Sequence, residues 1–211
     1  MPGHPHAPPD WWAPRRRGWW VGVLFAVGSA CFVVGPFPGF VHLVGAEADA
    51  AVFFAGSLFF TSAAALQYLD TAKADHVGRW AGAIQLAGTL FFNLSTGRAL
   101  GAAAEDRLIW RPDAFGSVCF LVASGLAWYE VRNRGWVLDG WIAAVNLAGS
   151  VFFGISAVAG YVVPATGDDL DLAAANVTTV LGALCFLAGA VLLLIAGARA
   201  SASRPVRLET A

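Results

Sequence analysis

Charged residues are scarce in this chain. Lysine and arginine contribute 13 residues and aspartate and glutamate 14, together only 13% of the sequence, and Lys73 is the single lysine. A soluble domain carries about a quarter charged residues. Because 58% of the 211 residues are hydrophobic, the chain has more apolar surface than a water-soluble fold buries, and we expect a lipid bilayer around it. The few basic residues flank apolar runs, so we expect no nucleic-acid partner.

Cysteine is equally scarce. Cys31, Cys119 and Cys185 all lie inside apolar runs, and an odd count with no loop cysteine argues against an extracellular disulfide framework. No CxxC or Cys/His pair indicates zinc. Three thiols at similar depth could bind copper(I), but a buried cysteine is more often a small packing residue. We therefore predict no metal and no cofactor.

Catalytic signatures are missing too. The sequence contains no nucleophile elbow, phosphate loop, HExxH helix or dinucleotide fingerprint. We predict no catalytic residues and a protein that is not an enzyme.

Arginine replaces lysine almost throughout, and alanine, glycine and valine are abundant, a composition that favours a bacterial source with a GC-rich genome.

Long apolar runs are what the sequence has in abundance. A membrane-spanning helix needs about 20 mostly apolar residues, and six segments meet that need: 19–38, 50–69, 80–100, 114–131, 141–163 and 173–196. They are too long and too uniformly apolar for barrel strands of about 10 residues. We predict an all-α membrane protein with a six-helix domain at 19–197. A disordered cytoplasmic tail at 1–18 and a cytoplasmic tail at 198–211 flank it.

A short motif recurs in every run: a glycine, a small residue, two further residues and a phenylalanine. Its glycines are Gly28, Gly56, Gly88, Gly116, Gly149 and Gly182. Trp20, Trp80 and Trp141 each stand eight residues before the glycine of an odd-numbered run, and those glycines are 60 and 61 residues apart. The pattern predicts three tandem parallel two-helix hairpin repeats. It also excludes a cleaved signal peptide for the first run, despite the basic flank at 15–17.

Small residues let helix backbones approach closely in a membrane, where burial of apolar surface gives no driving force for association. We therefore assign the six motif glycines to helix packing, with a ligand-lining role as the alternative.

The basic residues are distributed unevenly between the two sides. With the N-terminus inside, ten fall on the inner side and three on the outer side, the outer ones being Arg98, Arg107 and Arg111. Cytoplasmic loops are enriched in lysine and arginine. The distribution predicts a multi-pass protein of the cell membrane with both termini in the cytoplasm.

The motifs resemble those of a known family. Three hairpins built on Gly-Ser-x-x-Phe, with a helix end reading Phe-Phe-Thr-Ser-Ala-Ala-Ala-Leu-Gln at 59–67, are similar to the YrhK-like integral membrane proteins of bacteria. The resemblance covers about 19–197. It implies a helical membrane architecture and no established activity, so it transfers no site residues.

The third run is the most polar. Gln85, Thr89, Asn93 and Thr96 follow at steps of four, four and three, which places them on one helical face, and Asn146 and Ser150 repeat the first half of this pattern in the fifth run. These six residues could line a pathway or pocket, or could hold the bundle together by interhelical hydrogen bonds. We expect the second role, with a closed interior and with Asn93 bonded to Ser29, Ser57 or Ser117.

No charged residue falls at the centre of a predicted span, which argues against a proton- or sodium-coupled transporter. Glu105, Asp106 and Asp113 stand beside the three outer arginines, and we expect local pairing among these charges. We predict a small structural or accessory membrane protein that acts through helix contacts, with a membrane-protein partner or a second copy of itself. The alternative is a channel or facilitator for a small neutral solute along the polar seam on helices three and five.

Overall fold

The computed structural model describes residues 12–73, 75–101, 106–133 and 137–202, and most of these residues lie in helices. The helices are α1 (Arg17–Val34), α2 (Pro38–Val44), α3 (Ala46–Asp70), α4 (His76–Ala99), α5 (Asp106–Val131), α6 (Leu138–Ala159) and α7 (Leu172–Ala202). The described ranges contain no β-strand beyond one isolated bridge between Val162 and Asp169. The all-α prediction is confirmed. The predicted tails before residue 12 and after residue 202 lie outside the described residues.

Local chemistry sets the helix ends. Asp75 precedes α4 and its Oδ1 accepts a hydrogen bond of 2.8 Å from the Gly78 amide, while Asp171 does the same for the Ala174 amide at 2.9 Å before α7. Side-chain oxygens at this position satisfy amides that have no partner within the helix. The first span was predicted to reach residue 38, but α1 ends at Val34, because Pro36 has no amide hydrogen to continue the ladder. Residues 38–44 instead form the unpredicted helix α2.

Helix α5 begins at Asp106, eight residues before the predicted start at 114. Pro112 lies inside it and cannot donate to the carbonyl oxygen of Leu108, four residues earlier. Arg98, at the end of α4, donates to that oxygen instead at 2.6 Å. Ser95 donates to the Ile109 carbonyl oxygen at 2.9 Å. Side chains of α4 thus support the early turns of α5.

Five helices are long and apolar enough to cross a membrane: α1, α3, α5, α6 and α7. Helix α4 is long enough to cross a membrane, but its polar residues lower its mean hydropathy below that of the other five helices. The outer surface is apolar, with Phe115 60% and Val158 66% exposed, whereas serines and threonines such as Ser29 and Thr89 are fully buried. This distribution indicates a multi-pass helical membrane protein. Six spans in a tandem repeat stay a prediction.

The six long helices pack as a ring. Each contacts its two neighbours in the order α1, α3, α4, α5, α6, α7 and back to α1, and α2 rests on α3. Arg16, just before α1, donates to the carbonyl oxygen of Gly197 in α7 at 2.9 Å, so the ring closes at the end where α1 begins and α7 finishes. We call this the proximal end and the opposite one the distal end.

Candidate functional site

The motif glycines face one another in pairs within the ring: Gly28 with Gly56, Gly88 with Gly116, and Gly149 with Gly182. A Cβ atom on Gly28 would lie 3.0 Å from the carbonyl oxygen of Gly56, and one on Gly149 would lie 3.0 Å from that of Gly182. Such distances are tighter than ordinary side-chain contacts. The neighbouring backbones therefore touch at mid-helix in α1/α3, α4/α5 and α6/α7.

The motif phenylalanines meet on the axis of the ring. They are Phe32, Phe60, Phe92, Phe120, Phe153 and Phe186, which we call the Phe plug, and each is at most 9% exposed. They form two triangles. Centroids of Phe32, Phe92 and Phe153 are 5.9 to 6.3 Å apart, and those of the other three are 5.7 to 6.4 Å apart.

Chain direction explains the two layers. Each phenylalanine follows its glycine by four residues, or about 6 Å along a helix. Helices α1, α4 and α6 run toward the distal end and the other three run back, so paired glycines at one depth send their phenylalanines in opposite directions. The triangles are joined by contacts such as Phe92 to Phe120 at 5.0 Å and Phe153 to Phe186 at 5.3 Å. A void among these rings measures about 10 Å³, barely the space of one water molecule.

A cavity of about 600 Å³ lies on the distal side of the plug, with Phe32, Phe92 and Phe153 in its wall. All six long helices contribute to it. Its polar wall residues are Ser95, Thr96, Asp113, Ser117, Ser156, Asn176 and Thr179. The exposed Gly167, Asp168 and Asp169 form its mouth. The distal cavity is thus open to the surroundings at one end and blind at the plug.

A second cavity of about 280 Å³ lies on the proximal side, with Phe120 and Phe186 in its wall. It too is lined by all six long helices. Its polar wall residues are Gln67, Gln85, Ser124, Glu130, Asp139, Asn146 and Ser150, and Asp139 is exposed. Since each cavity touches every helix of the ring, both lie on the ring axis, one on each side of the plug.

These cavities overturn the expectation of a closed interior, and they divide the polar stripe of α4. Gln85 lies in the proximal wall with Asn146 and Ser150, and Thr96 lies in the distal wall. Thr89 is fully buried between them and donates to the carbonyl oxygen of its own helix at Leu86, at 2.7 Å. The six seam residues therefore form no continuous path, because the plug interrupts it.

Asn93 lines neither cavity and contacts α3 instead. Its Nδ2 donates to Thr61 Oγ1 on α3 at 2.9 Å. The interhelical partner was predicted, but the choice of Ser29, Ser57 or Ser117 was wrong. The partner lies one helical turn beyond Ser57 on α3. Ser57 is bonded instead to Thr96, with 2.9 Å between the hydroxyl oxygens.

Local pairing was predicted between the outer arginines and Glu105, Asp106 and Asp113, but the side chains at 102–107 lie outside the described residues. Asp113 itself has no ion pair with a described side chain and lies in the wall of the distal cavity. Arg98 is turned to the Leu108 carbonyl oxygen. The sequence did carry a signal: Asp113 precedes the motif residue Ser117 by four positions and so shares its helical face.

The cysteines do not converge. Each lies beside the glycine of the partner helix: a Cβ on Gly56 would meet Cys31, one on Gly88 would meet Cys119, and one on Gly149 would meet Cys185. They occupy three different helix interfaces. The part of the chain that the structure describes contains no group of three histidine, cysteine or acidic side chains placed to hold a metal ion.

The fold and the two cavities define a class, a multi-pass helical membrane protein with an interrupted axial cavity. Comparison with known families, with curated proteins and with solved structures finds no match to this chain. The resemblance to the YrhK-like family stays a prediction.

Proposed function

We propose that this protein is a gated facilitator for a small solute, built from six membrane spans in three parallel hairpins. The observation that carries the proposal is the pair of polar-walled cavities on one axis, separated only by the Phe plug. A solute entering either cavity reaches the same barrier. Channels commonly close at a hydrophobic constriction of this kind.

A purely structural or accessory role is less favoured. That role needs a packed interior, whereas polar side chains that line a cavity need water or a ligand to satisfy their hydrogen bonds. Cavities of about 600 and 280 Å³ are far larger than the single-water voids of packed domains. A facilitator function accounts for both cavities and requires no partner protein.

We propose the cell membrane as its location, with the proximal end in the cytoplasm. The described arginines that were predicted to be inner, such as Arg16, Arg79 and Arg132, and Lys73 belong to this end, and Trp20, Trp80 and Trp141 are 43 to 68% exposed beside it, where amphipathic rings anchor at the interface. We also propose that it catalyses no reaction. Neither cavity wall contains a histidine or cysteine among the described residues.

The plug provides the test. Phe153 contacts four other members of the plug, so Phe153→Ala should widen the barrier and raise the permeability of reconstituted vesicles to a small solute such as ethylene glycol. Phe115→Ala is the matched control, because Phe115 is 60% exposed on the outer surface. Removing a buried phenylalanine costs about 3 to 5 kcal/mol, so Phe153→Leu accompanies it as a milder variant.

We expect faster solute entry with either Phe153 variant than with wild type, and wild-type entry with Phe115→Ala. Folding is checked by helical circular dichroism and size-exclusion chromatography in detergent. Folded Phe153 variants that leave vesicles no more permeable than empty ones would overturn the facilitator.

A further inference from the structure

We propose that the distal cavity is a binding site for a small organic cation bearing an ammonium group. This inference rests on the proposed function and names the class of solute that the facilitator takes. It departs from the neutral solute of the sequence-based alternative.

Charge is the first observation. Asp113 stands in the distal cavity wall without an ion pair among the described side chains, and Asp168 and Asp169 form the mouth. No lysine, arginine or histidine lies among the described wall residues of either cavity. An unpaired carboxylate within a membrane span is costly and marks a solute path.

The proximal cavity likewise has acidic residues and no basic residues in its described wall, although it lies at the arginine-rich end of the ring. Glu130 and Asp139 are in its wall. Two described arginines near this end contact tyrosines: Arg79 donates to the Tyr68 hydroxyl at 3.0 Å, and the Arg132 guanidinium lies 3.8 Å from the Tyr129 ring centroid. The described walls of both cavities therefore contain acidic residues and no basic ones.

An unpartnered hydroxyl is the second observation, independent of the acidic residues. Ser117 is 2% exposed, lies in the distal cavity wall and has no hydrogen-bond partner for its Oγ. A buried hydroxyl without a partner destabilises the fold unless a bound ligand or water satisfies it. It sits one helical turn from Asp113, so a single bound donor group could contact both oxygens.

The chemistry of the cavity floor favours an organic cation over a metal ion as the ligand. Phe32, Phe92 and Phe153 present aromatic surface there, which attracts ammonium groups and also packs against alkyl carbons. A divalent ion needs several oxygens at about 2 to 2.6 Å, and the described residues hold no such group. A space of about 600 Å³ suits a molecule of several non-hydrogen atoms.

A binding measurement tests this without relying on transport. Melting temperatures of the purified full-length protein are recorded with ethanolammonium chloride, with sodium chloride at equal ionic strength and with ethylene glycol, its uncharged analogue. We expect a saturable rise with ethanolammonium alone. Asp113→Asn should weaken its apparent affinity at least about tenfold, and Ser117→Ala should weaken it less. Glu47→Gln, at an exposed distal acid outside the cavity wall, should leave it unchanged.

No response of the wild type, an equal response to ethylene glycol, or an undiminished response in Asp113→Asn would overturn the cation site. Vesicle flux separates this from the proposed function. Entry of ethylene glycol but not of labelled ethanolammonium through the Phe153 variants would overturn the cation and keep the facilitator. Ethanolammonium binding without flux of any solute would keep the site and overturn the facilitator.

Discussion

At the scale of the residue, the smallest side chains decide how close the helices come. The second position of the motif is at most 2% exposed in every run, from Ser29 and Thr89 to Ala183. Lipid and leucine are equally apolar, so a membrane bundle gains from close backbone contact rather than from burial of large apolar groups. Many large apolar residues, such as Phe115 and Val158, are exposed on the outer surface, whereas the six rings of the Phe plug fill the axis.

Gly88→Leu tests this contact. A Cβ on Gly88 would lie 2.8 Å from the ring of Phe120, so leucine must push α4 and α5 apart. We expect a loss of about 1 to 3 kcal/mol in stability, as for overpacked interiors, seen as a lower melting temperature in detergent. Gly125→Leu on α5 is the control, because nothing lies within 4 Å of a Cβ there. Equal melting of the two variants would contradict the packing role.

At the scale of the element, α5 depends on its neighbour. Pro112 leaves the Leu108 carbonyl oxygen without its helical donor, and Arg98 of α4 replaces it. This exchange lets α5 extend toward the distal end and carry Asp113 into the cavity wall. An arginine that hydropathy assigns to the membrane surface thereby positions a residue of the candidate site.

Arg98→Met should expose this dependence. Methionine keeps the apolar stem but removes the donor to the Leu108 carbonyl oxygen, which should weaken the early turns of α5. We expect faster amide hydrogen exchange in residues 108–111, measured by mass spectrometry, and little change elsewhere. Arg111→Met removes an exposed distal arginine and serves as the control. The same exchange rates in both variants would show that Arg98 does not support α5.

At the scale of the whole molecule, the ring has one end where α1 begins and α7 finishes, and one end with the acidic loops. The excess of basic residues at the proximal end predicts that this end is cytoplasmic. Single cysteines at Lys73 and Asn133, in a background with the native cysteines changed to alanine, should resist membrane-impermeant thiol reagents in intact cells. Cysteines at Glu47 and Thr166 should react readily. Labelling with the reverse pattern would invert the orientation.

Much of this architecture could be predicted from sequence. Run length and composition fixed the number and order of the long helices, and the motif spacing indicated which glycines would allow close packing. The predicted helix ends were the least accurate part, because hydropathy does not determine where a helix begins or ends. The start of α5 depends on Arg98, a side chain from another helix, and the end of α1 depends on the proline just after it.

The interior could not be predicted in the same way. In lipid, the inward and outward faces of a helix are both apolar, so hydropathy does not reveal which face lines the axis. The sequence placed Gln85 and Asn93 on one face, yet the tertiary structure put the first in a cavity and the second against Thr61 of α3.

The sequence by itself determined that the chain forms apolar helices and that each long helix carries one motif glycine and one motif phenylalanine. Both features follow from the composition and from the spacing of the motif. Only the tertiary structure decided that the phenylalanines meet as a plug between two cavities and that Asp113 faces one of them. Those facts depend on helix direction and on contacts between side chains far apart in the sequence, such as Phe60 and Phe186, which are 126 positions apart and are brought together by closure of the ring.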